Sequence, residues 1–192
     1  MKTRLDARHY TYADYLTGPE GRCDELIDGA YYVREPSPTE HHQEFAGELY
    51  HQVRLALEGK SARVYIAPLD VRLPRSDEAD EHIDTVVQPD LFVVRDRRKM
   101  DPRGMRGPPD WIVEVLSPAT ARRDTIVKVP VYERAGVREV WLIHPTKLTV
   151  TVYRLQDGRY GPGMILELKG QTIVSALPDI RIDWDRLLAR ID

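Results

Sequence analysis

The sequence predicts an α/β fold with a mixed central sheet and helices packed on it, and three observations carry that expectation. Trp111-Ile112-Val113-Glu114-Val115-Leu116 is apolar enough to be a core strand. Glu139-Val140-Trp141-Leu142-Ile143-His144 reads as a second buried strand, reached through a helical stretch that ends at Gly136. Strand, helix and strand in that order argue for a right-handed crossover between parallel neighbours. Pro89-Asp90-Leu91-Phe92-Val93-Val94 supplies a third apolar strand beside them.

The other elements follow along the chain. Asp24 to Val33 reads as a hairpin, with Asp28-Gly29 as its tight turn. A helix over 40–58 places Phe45, Leu49, Val53 and Ala56 at helical spacing and stops at Gly59. Strands are expected at 63–67 and 69–73, then an acidic loop, the Asp90 strand, a basic loop and the Glu114 strand. Ser117-Pro118 opens the second long helix, Ser117 as its N-cap, and Gly136 caps its C-terminus. Stretches 148–155, 159–160 and 164–168 suggest a strand-rich C-terminal part joined by Asp157-Gly158, and 184–190 a short amphipathic helix. With no repeat or low-complexity linker, the 192 residues suit one domain spanning 1–192.

Composition excludes several classes. Hydrophobic residues make up 42% and charged ones 31%, as in soluble globular proteins. The single cysteine, Cys23, leaves no internal disulfide and fits a reducing compartment. No secretion signal follows Met1, and no apolar run suits a bilayer, so a cytoplasmic protein without a membrane partner is expected. A net charge of −3 hides segregation: residues 95–106 carry six bases against two acids, while 76–84 carry five acids and no Lys or Arg. Such runs are ordinarily solvated loops, but the basic one directly follows the Asp90 strand and could grip a polyanion.

The chemistry centres on the two acids. Side chains alternate along a strand, so Glu114 shares a face with Ile112 and Leu116, while Trp111, Val113 and Val115 share the other. A carboxylate on an apolar strand is costly without compensation. Two of them converging from neighbouring strands suit a hard divalent cation. The blander alternative pairs each acid with an arginine. His41 and His42 begin a helix with Glu40, Glu44 and Glu48, a pattern that could bind zinc or orient a water, or that forms a solvated, partly capped helix start. Tyr132 reads as packing.

A Pro-Asp opening one strand, with a strand glutamate twenty-four residues later, is similar to the metal-binding core of the PD-(D/E)XK nuclease superfamily. Glu25-Leu26-Ile27-Asp28-Gly29, Ser37-Pro38 followed by His42-Gln43, Pro89-Asp90-Leu91 and Pro109-Asp110 leading into Glu114-Val115-Leu116-Ser117-Pro118 fall in order. So do Lys128 with Tyr132 and Gly136-Val137-Arg138-Glu139-Val140-Trp141. The ordered set resembles the Uma-type restriction endonuclease family of bacteria, from about residue 10 to the C-terminus. The resemblance implies a restriction-endonuclease-like core. It also implies a Mg²⁺- or Mn²⁺-dependent nuclease acting on DNA, with Asp90, Glu114 and the Val115 carbonyl at the metal and Glu25 and His42 as accessory residues.

The superfamily lysine two residues past the second acid is here Leu116, and Lys128 on the following helix matches the relocated lysine of Uma-type sequences. Pro130 predicts a kink or restart just past Lys128, with Val129 outside helical geometry. Arg97, Arg98, Lys99 and Arg103 are the expected phosphate contacts, and cutting two strands implies a homodimer. The alternative is a catalytically silent nucleic-acid-binding or protein-interaction module on the same fold, which gains if Lys128 cannot reach the acids.

Overall fold

The computed structural model describes residues 8–18, 25–32 and 38–191. Cys23 and Ser37, and the hairpin's outer residues Asp24 and Val33, lie outside the described residues. The expected α/β fold is present. A seven-stranded mixed sheet runs in the order Arg159–Tyr160, Thr149–Gln156, Glu139–His144, Trp111–Val115, Leu91–Val94, Arg63–Ile66, with Met164–Glu167 also on Thr149–Gln156. Trp111–Val115 and Glu139–His144 are parallel, while Leu91–Val94 runs antiparallel to both its neighbours.

Period-two alternation sorts the central strand between two cores. Trp111, Val113 and Val115 pack with Trp141, Ile143, Phe45, Leu49 and Trp184 against the helices Glu40–Ala56 and Trp184–Ile191. Ile112 and Leu116 pack with Val140, Leu142, Val131 and Tyr132 under the crossover. Burying each such side chain contributes about 1.5–3 kcal/mol, so both faces of this strand are held firmly. Glu114 belongs to the crossover face. The long helix starts on Thr39, whose side chain accepts from the His42 N–H, and buries Phe45, Leu49 and Val53 on one stripe.

The crossover begins as expected: Ser117 Oγ accepts from the Thr120 N–H at 3.2 Å and its carbonyl from Ala121 at 2.9 Å. Arg123–Lys128 then winds as a π-helix and Val129–Ala135 as an α-helix, ended by Gly136 at φ +86°. One expectation needs correcting. Val129 is helical, with φ −57° and ψ −47°, and the adjustment before Pro130 lies upstream in the wider π-turn. A helix that contains proline loses one donor and crowds the carbonyl four residues back, and the looser winding gives that carbonyl room.

Other strands form a separate sheet that the sequence reading did not separate from the first. Its order is Ala30–Tyr32, Glu25–Ile27, Val86–Val87, Val71–Arg72, Gly104–Arg106, Met100–Asp101. The hairpin turns on Asp28 and Gly29, with φ +49° and +70°, as a two-residue turn with both φ positive requires. The strand expected over 69–73 shrinks to Val71–Arg72. Arg72 is fully buried, ion-paired to Asp80 and, at 2.5 Å, to Asp101. The basic stretch is not all loop either, since Met100–Asp101 and Gly104–Arg106 pair within it. A short helix, Tyr12–Leu16, was not anticipated, nor was the pairing of Gln171–Ile173 with Arg181–Asp183.

Candidate functional site

Register brings the two acids together. Leu91 pairs with Val113 in the antiparallel ladder, so Asp90, just before its strand, sits beside the Glu114–Val115 end of the neighbour. The Val115 N–H donates to Asp90 Oδ2 at 2.8 Å, and His42 Nε2 lies 3.0 Å from the same oxygen. His42 reaches it from the first turn of the long helix. Burial alone would raise the Asp90 carboxyl, but the His42 hydrogen bond, the charges of His42 and Lys128 and the Val115 N–H together hold it below its ordinary range.

Lys128 reaches the acids. Its Nζ lies 2.8 Å from Glu114 Oε1, 2.8 Å from Glu25 Oε1 and 3.5 Å from Asp124 Oδ1, with only 2% of the side chain exposed. The Tyr132 hydroxyl donates to Glu114 Oε1 at 2.5 Å. Both donors use Oε1, so Glu114 Oε2 stands outside that pairing. Glu25 opens the hairpin's first strand, where the Gln88 N–H donates to its Oε1 at 2.9 Å and Arg123 Nε approaches its Oε2 at 3.5 Å. Lys128 belongs to the π-turn, whose winding differs from the helix that follows, a feature common at functional positions.

Four buried carboxylates, Glu25, Asp90, Glu114 and Asp124, thus share the charges of Lys128 and Arg123. The imbalance sets their proton affinities. Glu114 is pushed up to about 8, first by burial and then by Asp124, Asp90 and Glu25, against which Lys128 pulls down. Asp124 rises for the same first reason, burial, and because of Glu25. Lys128 goes the other way: burial disfavours its charge, but Glu114, Glu25 and Asp124 outweigh that and keep it protonated far into the alkaline range. Glu25 is lowered, since Lys128, Arg123 and the Gln88 N–H overcome burial.

Among the described residues no group of three or more His, Cys, Asp or Glu side chains is drawn together tightly enough to hold a metal ion. The donor set nonetheless fits a divalent cation. All the carboxylates are hard oxygen donors, and the four acids outnumber the two bases among them.

Sequence reasoning missed Asp124 and Arg123 and read Tyr132 as packing alone. Tyr132 does pack in the core, but its hydroxyl also serves Glu114. The available signal was spacing, because Asp124, Lys128 and Tyr132 recur every fourth residue. The basic residues stand apart from the acids. Arg97, Arg98 and Lys99 follow the Val94 end of a strand whose other end begins after Asp90, roughly 13 Å away at about 3.3 Å per residue. Arg98 is bound by both its Nε and Nη2 to Asp96, at 2.9 and 2.8 Å, and Lys99 Nζ donates to the Pro108 carbonyl at 2.8 Å. Arg97 and Arg103 are exposed.

No helix among the described residues is long and apolar enough to cross a membrane. No curated protein matches the chain. The fold is similar to the crystal structure of a putative nuclease belonging to DUF820 from Anabaena variabilis, at 22% identity and a TM-score of 0.75, covering 95% of this chain and 99% of that one. A family model, Uma2, described as a putative restriction endonuclease, matches residues 10–185, and the chain belongs to that family.

Proposed function

We propose that the chain is a divalent-metal-dependent endonuclease that hydrolyses phosphodiester bonds in DNA. What supports this reading is the contact of Lys128 Nζ with Glu114 Oε1 at 2.8 Å, which supplies from the crossover the cation that Leu116 cannot. Asp90 and Glu114 would hold Mg²⁺ or Mn²⁺ with the Val115 carbonyl as a further ligand. When bound, the ion supplies a Lewis acid for a phosphoryl oxygen and lowers the pKa of a bound water. Lys128 keeps a positive charge beside the place where negative charge develops, an interaction strongest in the transition state. His42 orients Asp90, and Glu25 holds Lys128.

Arg97, Arg98, Lys99 and Arg103 would contact backbone phosphates along the duplex, away from the acids. Two sites are needed to cut two strands, which favours a homodimer. The whole described chain serves as one domain in this reading.

The test is cleavage of supercoiled, linear and single-stranded DNA with Mn²⁺ by wild type, Asp90→Asn and Lys128→Met. Wild type should cut, Asp90→Asn should not, and Lys128→Met should bind DNA while losing turnover. Cleavage unchanged in Asp90→Asn sinks the proposed metal site. Folded wild type that binds DNA and never cuts it leaves the silent nucleic-acid-binding module.

A further inference from the structure

Charge counting divides the buried cluster into two halves. Arg123 and Lys128 both lie between Glu25 and Asp124: Arg123 Nε is 3.5 Å from Glu25 Oε2 and 3.8 Å from Asp124 Oδ1, while Lys128 Nζ is 2.8 Å from Glu25 Oε1 and 3.5 Å from Asp124 Oδ1. Two acids and two bases balance. Asp90, beside His42, and Glu114 remain as the two carboxylates left for a divalent cation. Glu114 is now shared, since Lys128 also touches it at 2.8 Å. A cation arriving at Glu114 would repel that ammonium, which then needs another anion close by.

Asp124 is placed to be that anion. Its Oδ1 is buried and has no hydrogen-bond partner, although buried polar atoms are nearly always satisfied. Its backbone N–H donates to the Thr120 carbonyl at 3.0 Å. It stands one turn before Lys128 in the π-helical segment.

We propose that Asp124, with Glu25, cradles Lys128 so that Glu114 can be given over to a divalent cation. Asp124 is then a positioning residue, acting through Lys128 and not as a metal ligand. The inference rests on the metal-site reading above.

The test is calorimetric titration of MnCl₂ into the full chain as wild type, Asp124→Asn, Lys128→Met and the double variant. Asp124→Asn should weaken Mn²⁺ binding by about tenfold or more, as the loss of outer supporting residues commonly does. In the Lys128→Met background the same change should cost severalfold less, because no ammonium then competes for Glu114. Asp124→Glu, which keeps the charge, should retain most of the binding. Circular dichroism checks each fold, and Asp124→Ser replaces any unfolded asparagine variant. Equal losses in both backgrounds would make Asp124 a ligand, and no loss in either would leave it structural; each overturns the proposal while the nuclease reading stands. Wild type that takes up no more Mn²⁺ than Asp90→Asn overturns both.

Discussion

Tyr132 donates its hydroxyl to Glu114 Oε1 at 2.5 Å from one helical turn beyond Lys128. The ring fills the core under the crossover and the oxygen serves the site. Tyr132→Phe keeps the ring and removes one buried hydrogen bond to a carboxyl that is protonated at neutral pH, so it should cost about 0.5–1.5 kcal/mol in denaturant unfolding. A loss below about 0.5 kcal/mol, the range of ordinary surface changes, would mean that this bond contributes little.

The two acids should respond oppositely to neutralisation. Glu114 titrates near 8 in the folded chain against an ordinary value of 4.5, so between those values the folded chain keeps a proton that the unfolded chain has lost. Stability therefore falls as pH rises through that window, with the cost absent below it and complete above it. Glu114→Gln should gain on wild type progressively as pH rises through that window and keep the full gain above about 8. Asp90 is depressed, so its contribution is present above the ordinary carboxylate range and lost only in acid. Asp90→Asn should thus lower stability at neutral pH, by about 1.5–3 kcal/mol for charge-assisted hydrogen bonds. Thermal melts of both variants across pH decide it, and shifts of the same sign in both at neutral pH contradict the assignment.

The basic stretch should add affinity without base recognition. Replacing Arg97, Arg98 and Lys99 with glutamine should weaken DNA binding about equally across sequences. Each lost phosphate contact flattens the logarithmic salt slope by about 0.9. Because Arg98 and Lys99 already have internal partners, a change nearer one or two contacts than three is expected. An unchanged slope, measured by fluorescence anisotropy, would assign these residues to the protein's own surface.

Local signals made much of this readable. Asp28-Gly29, Ser117, Gly136 and the alternation along Trp111–Val115 each act through their immediate neighbours, and each element formed as those neighbours demand. The second sheet was not readable, because Val71–Arg72 and Val86–Val87 are too short for a period and are fixed by partners distant in sequence. The pairing of Asp90 with Glu114 was inferred from strand character, while Asp124 was overlooked because nothing within its own turn announces an anion facing inward. Chain adjacency misled in one place. The basic run follows Asp90 in sequence, yet a whole strand carries it to the other end of the sheet.

The parallel pairing of Trp111–Val115 with Glu139–His144 also bears on how the molecule comes into being. Parallel neighbours cannot join through a tight turn, so the connection that closes the sheet's middle also lays the crossover over Glu114. That crossover carries Lys128, Asp124 and Tyr132. Burial of the acid and arrival of its counter-charge therefore go together in folding, and a chain that reaches its native topology has already assembled its candidate site. Contacts so distant along the chain form slowly. Substitutions at Lys128 or Tyr132 should accordingly register in refolding rates as well as in chemistry.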